Sequence, residues 1–417
     1  MNGFTALFAA LLLAGLATRL WLNLRQVRAV RARRAEPPAA FADQIDVAAH
    51  QKAADYTVAS AQVSRWDALL DAAMALFLTV GGGVALIDGW WRLVELPQVV
   101  RGALVVMSCL LLVSILGLPF SIWRTFVVEA RFGFNRTTPR LYVVDLAKSL
   151  LVTLALGGPL LLVILYLMER AGDAWWLYAW AIWAAFSVLM MWAWPAFIAP
   201  LFNKFTPLAD KGLKRKTEAL LARVGFASRG VFVMDGSRRS VHGNAYFTGV
   251  GRNKRIVFFD TLLERLQIPE IEAVLAHELG HFKLHHVRAR LALTLALSLA
   301  GFWALGALAQ WAPFYRAFGV DQPSAHVALL LFLFVLPAFT YFLTPLGAWW
   351  SRKHEFEADE FAARHADAGR LADALVKLYR DNATTLTPDG LHSAFYDSHP
   401  PALVRIARLR EAPARRS

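Results

Sequence analysis

Seven apolar runs, each long enough to cross a membrane as a helix, most constrain what this chain can fold into. A spanning helix needs about 20 mostly apolar residues. Backbone groups in lipid must find hydrogen-bond partners within the protein, and a helix provides them. The runs therefore predict an all-α polytopic membrane protein with seven transmembrane helices, at residues 4–22, 66–87, 102–122, 146–167, 175–198, 291–311 and 327–350. Glycines at 81–83 weaken the second run, and Pro337 and Pro345 interrupt the seventh.

The composition agrees with a membrane protein and argues against a nucleic-acid-binding one. Hydrophobic residues make up 57% of the 417 residues and charged residues 18%, whereas soluble domains average about 45–50% and about 25%. The net charge of +13 comes mostly from arginines between the apolar runs, and no aromatic-and-basic nucleic-acid motif accompanies it. We therefore expect the lipid bilayer, with its anionic headgroups, as a partner, and no nucleic acid.

Loop charge predicts the orientation of the chain. Basic residues follow the first run instead of preceding it, so this run is predicted to be an anchor and not a cleaved signal peptide. Residues 24–65 hold seven Lys or Arg and residues 123–145 hold four, whereas the three intervening loops on the other side hold four together. The positive-inside rule then places residues 199–290 and 351–417 in the cytoplasm. The alanine- and arginine-rich composition is typical of a bacterial inner-membrane protein.

The apolar runs divide the chain into four parts. Residues 1–198 are predicted to be a membrane domain with transmembrane helices 1–5, and residues 291–350 to form helices 6 and 7. Residues 199–290 are predicted to be a small α+β domain, and residues 351–417 a polar C-terminal region on the same side. Within the small domain we expect a helix at 211–224, strands at 231–234 and 255–259, and a helix starting near Pro269.

The segment AVLAHELGHFKLHH (273–286) carries an H-E-x-x-H motif on this last helix. His277 and His281 lie one turn apart on one face, where two imidazoles can bind a single zinc ion. Glu278 is placed to act as general base on a water whose pKa the zinc lowers. The alternative is a chance pattern on an amphipathic helix, and the uncharged residues between and beside the histidines argue against it.

A catalytic zinc site needs a third protein ligand. Cys109 is the only cysteine, which excludes a cysteine-based site. Val287 stands where a metzincin would have its third histidine, so that class is excluded too. The best candidates lie in SRKHEFEADEFAARHA (351–366), just after the seventh run, where spacing alone leaves Glu355 and Glu357 open. Helices 6 and 7 form a hairpin that returns this segment to the side of the two histidines.

Other polar residues in these segments have less specific predicted roles. Asp359 can orient a ligand imidazole or donate a proton. His285 is predicted to be a boundary residue near the headgroups, with a place near the metal as the alternative. His286 is predicted to be solvated and His354 to be structural. His399, which precedes two prolines in YDSHPPALVRIARL, is by itself a loop histidine.

Several segments follow one another in the order found in a known family. They resemble the integral-membrane zinc metalloproteases of the Ste24 type, the CAAX prenyl protease 1 family of peptidase family M48. The family fold is seven helices around a water-filled chamber, capped by a zinc-protease domain. The matching segments are VHGNAYFTGVGRNKRIVFFDTLL (241–263), AVLAHELGHFKLHH (273–286), SRKHEFEADEFA (351–362) and FYDSHPPALVRIARL (395–409), with FGFNRTTP (132–139) resembling a cytoplasmic loop.

The resemblance also implies roles for residues at the predicted zinc site. His277, His281 and Glu355 would be the ligands of one zinc ion per chain. Glu278 would be the general base, and Asp359 an acidic partner and proton donor. This assignment selects Glu355 as the third ligand.

The same resemblance implies contacts with a peptide substrate. Asn244 and Ala245 lie in the segment expected to run along an extended peptide and to hydrogen-bond it like an added strand. His399 would stabilise the oxyanion of the reacting carbonyl. Arg405 would be a further substrate-binding residue.

The predicted function is that of a membrane zinc metalloendopeptidase acting on membrane-associated or C-terminal peptides. An HtpX-type quality-control metalloprotease shares the H-E-x-x-H and E-x-x-x-D pattern, but it normally has four spanning helices. A transporter with a structural metal is a more distant alternative, because Pro337 and Pro345 could mark a broken helix. The metal-ligating residues, however, fall outside the apolar runs.

Overall fold

The structure is a computed structural model that describes residues 2–226, 228, 230–248 and 255–411. Helices dominate it, and those of the first half are long and mostly apolar. They are α1 (Gly3–Ala32), α2 (Val47–Leu78), α3 (Gly83–Arg92), α4 (Gln98–Ile122), α5 (Pro139–Val152), α6 (Gly158–Arg170), α7 (Trp175–Ala193) and the short α8 (Ala199–Phe202). Helical π-type stretches continue α4, α5 and α7 without a loop, at Trp123–Glu129, Thr153–Gly157 and Trp194–Ile198.

Within the described ranges, six helical segments are long and apolar enough to cross a bilayer, and a bent pair raises the number to seven. The second predicted run is this pair: α2 and α3 meet at 55°. At the break Gly82 has φ +74°, a left-handed conformation that glycine adopts at no steric cost. The predicted all-α polytopic membrane protein is confirmed. The six are Gly3–Ala32, Gln98–Glu129, Pro139–Arg170, Gly172–Phe202, His286–Ala309 and Ala325–His365.

Several helices are longer than the hydrocarbon core is thick. The 32 residues of α2 span about 48 Å, against about 30 Å for the core of a bilayer. Charged and polar side chains of α1 and α2 line a cavity of about 530 Å³ between the helices, among them Arg19, Asn23, Arg65, Asp67 and Asp71. Ionisable groups between membrane-spanning helices need paired or water-filled surroundings, so this polar cavity agrees with the expected aqueous interior.

The zinc-motif region is a small α+β unit, as the sequence predicts. Three helices and a four-stranded sheet with the order β1-β2-β4-β3 make it up. Strands β2 and β4 are parallel, and β3 pairs antiparallel with β4, with Ala245 opposite Phe258. In this described sheet β3 is therefore an edge strand. The elements are β1 (Phe205–Pro207), α9 (Lys211–Arg223), β2 (Val231–Met234), β3 (Ala245–Thr248), β4 (Arg255–Phe259), α10 (Asp260–Leu263) and α11 (Ile268–Lys283). Residues 249–254 of the 241–263 segment lie outside the described residues.

The last third of the chain returns to the membrane and then packs on α11. Its membrane part contains α12 (His286–Ala309), α13 (Ala312–Arg316) and α14 (Ala325–Thr340). After a 3₁₀ turn at Tyr341–Leu343, α15 (Thr344–His365) continues the seventh span directly into the protease region. Three shorter helices follow, α16 (Ala368–Asp381), α17 (Gly390–Tyr396) and α18 (Ala402–Glu411).

One hydrophobic core joins segments that are far apart in the chain. Leu275 and Leu279 of α11 pack with Leu371 of α16 and Ile406 of α18. Phe41, from the loop between α1 and α2, lies in the same core and is fully buried. The protease unit thus draws on residues of 1–198 and 351–417 as well as 199–290, so its boundaries in the structure are wider than the division predicted from the apolar runs.

Candidate active site

Helix α11 presents the two motif histidines on one face. It begins with Pro269 in its first turn and a capping box, in which Gln267 and Glu270 satisfy each other's backbone N–H groups. One turn of helix separates His277 and His281, whose Nε2 atoms lie 3.3 Å apart. The opposite face of α11 is buried in the core described above, which fixes the rotation of the helix.

Close contact between α11 and α15 brings a carboxylate to these histidines. Gly280 faces the backbone of Ala358, and a side chain there would lie 3.0 Å from the Ala358 Cα atom. The glycine therefore lets the helices approach until Glu355 reaches the imidazoles. Glu355 Oε2 lies 3.5 Å from His277 Nε2, and Oε1 lies 3.3 Å from His281 Nε2.

The three side chains fit a zinc ion. Zinc bonds of about 2.0–2.2 Å at tetrahedral angles separate neighbouring ligand atoms by about 3.3–3.5 Å. Here the two Nε2 atoms lie 3.3 Å apart, and they lie 3.5 and 3.3 Å from Oε2 and Oε1 of Glu355 respectively. Glu355 is 4% exposed, yet its Oε2 has no hydrogen-bond partner in the described chain. Burying a carboxylate oxygen without a hydrogen-bond partner lowers the stability of the fold, unless the oxygen binds a metal ion.

Glu278 lies between the two histidines in sequence and lines the same cavity, which has a volume of about 290 Å³. Its side chain is half-buried, and burial raises the pKa of the carboxyl group. The cavity also contains His399, whose Nε2 lies 3.5 Å from Glu355 Oε2. His399 is largely exposed, so a molecule entering the cavity would meet it directly.

Behind His277 lies a buried ion pair between Asp359 and Arg405. Asp359 Oδ1 is 2.8 Å from His277 Nδ1, which fixes the tautomer that leaves Nε2 free for a metal. Arg405 donates two hydrogen bonds to Asp359, at 2.8 and 2.7 Å. Burial would lower the pKa of the guanidinium, but these hydrogen bonds raise it, so it stays charged.

The burial of Arg405 changes the role that the resemblance implied. Only 4% of the residue is exposed, and its guanidinium already bonds Asp359. An arginine in this position has no free donor surface to offer a peptide. We therefore assign Arg405 the task of holding Asp359 in place instead of direct substrate contact.

The predicted substrate strand, β3, is an edge strand of the sheet formed by the described residues. Phe259 donates its backbone N–H to the Asn244 carbonyl, and hydrogen-bonded pairs alternate along an antiparallel ladder. The backbone groups of Ala245 therefore point away from β4, towards the open edge. Asn244 is exposed, and its side-chain oxygen accepts from the Ala245 N–H.

The predictions for the two histidines after the motif had different outcomes. His285 is exposed, in agreement with a boundary position. His286 is not solvated as predicted: it is 3% exposed and lies 3.1 Å from His281, Nδ1 to Nδ1. The prediction was wrong because α11 does not continue through this point. His285 has φ +63° and a new helix begins at His286, a break for which no glycine or proline gave a signal.

Comparisons with known proteins agree with this fold. Residues 26–204 match the family model described as CAAX prenyl protease N-terminal, five membrane helices. Residues 207–413 match the model of peptidase family M48. The mouse CAAX prenyl protease 1 homolog is 30% identical, with 97% of this chain and 96% of the mouse protein covered. The CAAX prenyl protease 1 of Saccharomyces cerevisiae is 36% identical over 71% of this chain and 69% of its own length.

A solved structure is similar over nearly the whole chain. The crystal structure of S. mikatae Ste24p superposes with a TM-score of 0.91 at 29% identity, covering 98% of this chain and 99% of that one. Fold and site define a multi-pass membrane metalloprotease of peptidase family M48. More narrowly, the chain belongs to the CAAX prenyl protease 1 (Ste24) family. This membership excludes the transporter alternative, and the match to the five-helix N-terminal model separates the chain from the HtpX type.

Proposed function

We propose that His277, His281 and Glu355 hold one zinc ion per chain and that peptide bonds are hydrolysed beside it. The observation that carries this proposal is the convergence of three side chains: the two Nε2 atoms lie 3.3 Å apart, and each lies 3.5 or 3.3 Å from one of the two oxygens of the buried Glu355 carboxylate. Zinc bound there would supply Lewis acidity, which polarises a carbonyl and makes water nucleophilic near neutral pH. Cobalt or manganese could occupy the same ligands.

Glu278 acts as the general base in this proposal. Its carboxylate lies in the cavity next to the ligands and takes a proton from the attacking water. From the same position the protonated carboxyl group can pass the proton on to the leaving amine. Asp359, paired with Arg405, orients His277 and is held ionised by the arginine, so we assign proton return mainly to Glu278.

His399 and the edge strand complete the proposed machinery. His399 lines the same cavity and can donate a hydrogen bond to the developing oxyanion. An extended peptide would add to β3, where the Ala245 carbonyl points away from β4 and the exposed Asn244 side chain would exchange its bond with the Ala245 N–H for one with the peptide. Strand β3 would then set the direction in which the peptide runs. The metal site would determine which peptide bond is cleaved.

The relatives are named CAAX prenyl proteases, and we propose that this chain cleaves C-terminal peptides of membrane-associated proteins. Phe41, which belongs to residues 24–65 with their seven basic residues, packs in the core of the zinc domain, which supports a cytoplasmic site. The composition supports a bacterial inner membrane as its location. The relatives reported above are eukaryotic, so the host membrane is part of the proposal.

The test is a peptidase assay on the full chain purified in detergent. Farnesylated and unmodified C-terminal peptides are compared, with and without a chelator, and Glu278→Gln is run beside the parent. Cleavage should be lost with the chelator and restored by zinc. Glu278→Gln should bind zinc as the parent does and cleave about 10²–10⁴-fold more slowly. A Glu278→Gln protein that cleaves at the parental rate would overturn the base assignment.

A further inference from the structure

A second group of polar residues lies directly behind the zinc ligand His281. It consists of His286 and His354, both buried, and the half-buried Glu357. We propose that His286 and Glu357 form a hydrogen-bonded relay that fixes the His281 tautomer and tightens zinc binding. This inference concerns the zinc site proposed above and rests on that proposed function.

The break between α11 and α12 creates the first link. Residues five positions apart on a continuous helix point about 140° away from each other. Because His285 adopts φ +63°, the chain reverses its side-chain direction and His286 returns towards His281. The two Nδ1 atoms come to 3.1 Å. A histidine in this left-handed conformation is uncommon, and such strain persists where the surrounding structure enforces it.

Hydrogen-bond chemistry then determines every proton in the relay. His281 must keep Nε2 unprotonated to bind a metal, so its Nδ1 carries the proton and donates it to His286 Nδ1. His286 is then protonated on Nε2, which lies 2.9 Å from Glu357 Oε2. Glu357 accepts. A single direction of donation, from His281 through His286 to the carboxylate, satisfies all these atoms.

Neighbouring side chains hold the relay in position. The His354 ring stacks on His286 with centroids 3.9 Å apart and planes at 7°. Trp350, one turn earlier on α15, contacts the same His354 ring. Lys353 lies 3.9 Å from Glu357. The ring of His286 is thus fixed in its plane by stacking, while its two nitrogens are fixed by hydrogen bonds.

The stacking argues against reading the same group as a second metal site. His286, His354 and Glu357 have ligand atoms close enough together for an ion. However, an imidazole binds a metal in its own ring plane, and planes only 7° from parallel do not meet at a shared ion. The hydrogen bonds of His286 to His281 and Glu357 also occupy both of its nitrogens.

The two histidine ligands therefore differ in what supports them. His277 has a carboxylate, Asp359, in direct contact with its Nδ1. The Nδ1 atom of His281 is linked to a carboxylate, Glu357, through His286. Partners of this kind typically change metal affinity by about 10–100-fold when removed, so the relay makes a positioning residue of His286, which does not touch the substrate.

The experiment measures the zinc dissociation constant of the full chain in detergent by competition with a fluorescent chelator. His286→Leu should weaken zinc binding about 10–100-fold. His286→Asn should recover most of this loss, because the amide oxygen can accept the His281 proton. Glu357→Ala should give an intermediate loss. The control is Glu360→Gln, which removes an exposed charge from the same helix and should leave the affinity unchanged.

Two further readouts separate the relay from a structural role. Cobalt-substituted protein should show a changed visible spectrum in His286→Leu and a parental spectrum in Glu360→Gln. Zinc should bind with a stoichiometry of one. Parental affinity in His286→Leu, failure of His286→Asn to recover affinity, or a second zinc lost with His354→Phe would overturn the relay alone. A parent protein that bound no zinc would overturn the proposed function as well.

Discussion

Replacing Gly280 with alanine should disturb the zinc site, although Gly280 itself binds no metal. Gly280 lies between His277 and His281 in the sequence and faces the backbone of α15. The substitution adds one methyl group and leaves every ligand, the general base and the charge of the protein unchanged. Any effect of the substitution therefore comes from a change in the close approach of α11 and α15. The convergence of His277, His281 and Glu355 depends on this approach.

The structure sets the size of this effect. The new Cβ atom would lie 3.0 Å from Ala358 Cα, 3.1 Å from Ala358 O and 3.1 Å from Phe361 Cβ. Ordinary carbon contacts are about 3.5–4.0 Å, so α15 must move away by about 0.5–1 Å. Such overpacking costs about 1–3 kcal/mol of stability. A misplacement of about 1 Å in a catalytic group costs about 10²-fold in rate.

The assay compares zinc affinity, kcat and thermal unfolding of Gly280→Ala with those of Gly347→Ala. Gly347 lies on α15 itself and has no atom within 4 Å of the position that a Cβ would take. Gly280→Ala should lose zinc affinity and about 100-fold in kcat, whereas Gly347→Ala should match the parent. Equal zinc affinity and kcat in both variants would refute the argument that helix contact at Gly280 positions Glu355.

Other substitutions test separate parts of the account. Arg405→Met leaves the buried Asp359 without its arginine and with only its contact to His277. Calorimetry should therefore show a lower melting temperature and a loss of about 3–5 kcal/mol; an unchanged melting temperature would show that the ion pair does not stabilise this region. His399→Ala should lower kcat by about 10²–10³-fold with parental zinc affinity, and an unchanged kcat would remove it from the oxyanion site. Asn244→Ala removes one hydrogen bond worth about 1 kcal/mol, so KM for a peptide should rise about fivefold while kcat holds; the reverse pattern would contradict a substrate-binding strand.

Much of the fold could be predicted from the sequence because its signals are local. Hydrophobic length alone identifies the spans, and the strands at 231–234 and 255–259 appear with the bounds predicted. Helix α11 starts at Ile268, one residue before the proline that marked its first turn. The convergence of α11 with α15 also follows from the topology, since a membrane hairpin separates them.

The features that sequence reasoning missed depend on tertiary contacts. The chain break at His285 has a positive φ without glycine, so local propensity predicted a continuous helix and a solvated His286. The burial of Phe41 in the protease core could not be read from a segment that resembles an ordinary loop. Arg405 lies in an amphipathic helix with no distinctive sequence signal. Its role in holding Asp359 is visible only from the hydrogen bond between the two side chains, which are far apart in the sequence.

The central claim is that His277, His281 and Glu355 converge on a single metal ion. X-ray diffraction from crystals of the zinc-loaded protein, measured on both sides of the zinc absorption edge, tests it most directly. We expect one anomalous peak about 2.0–2.2 Å from Nε2 of each histidine and from a carboxylate oxygen of Glu355. A fully active, zinc-loaded protein whose anomalous peak lies at other side chains would contradict the account.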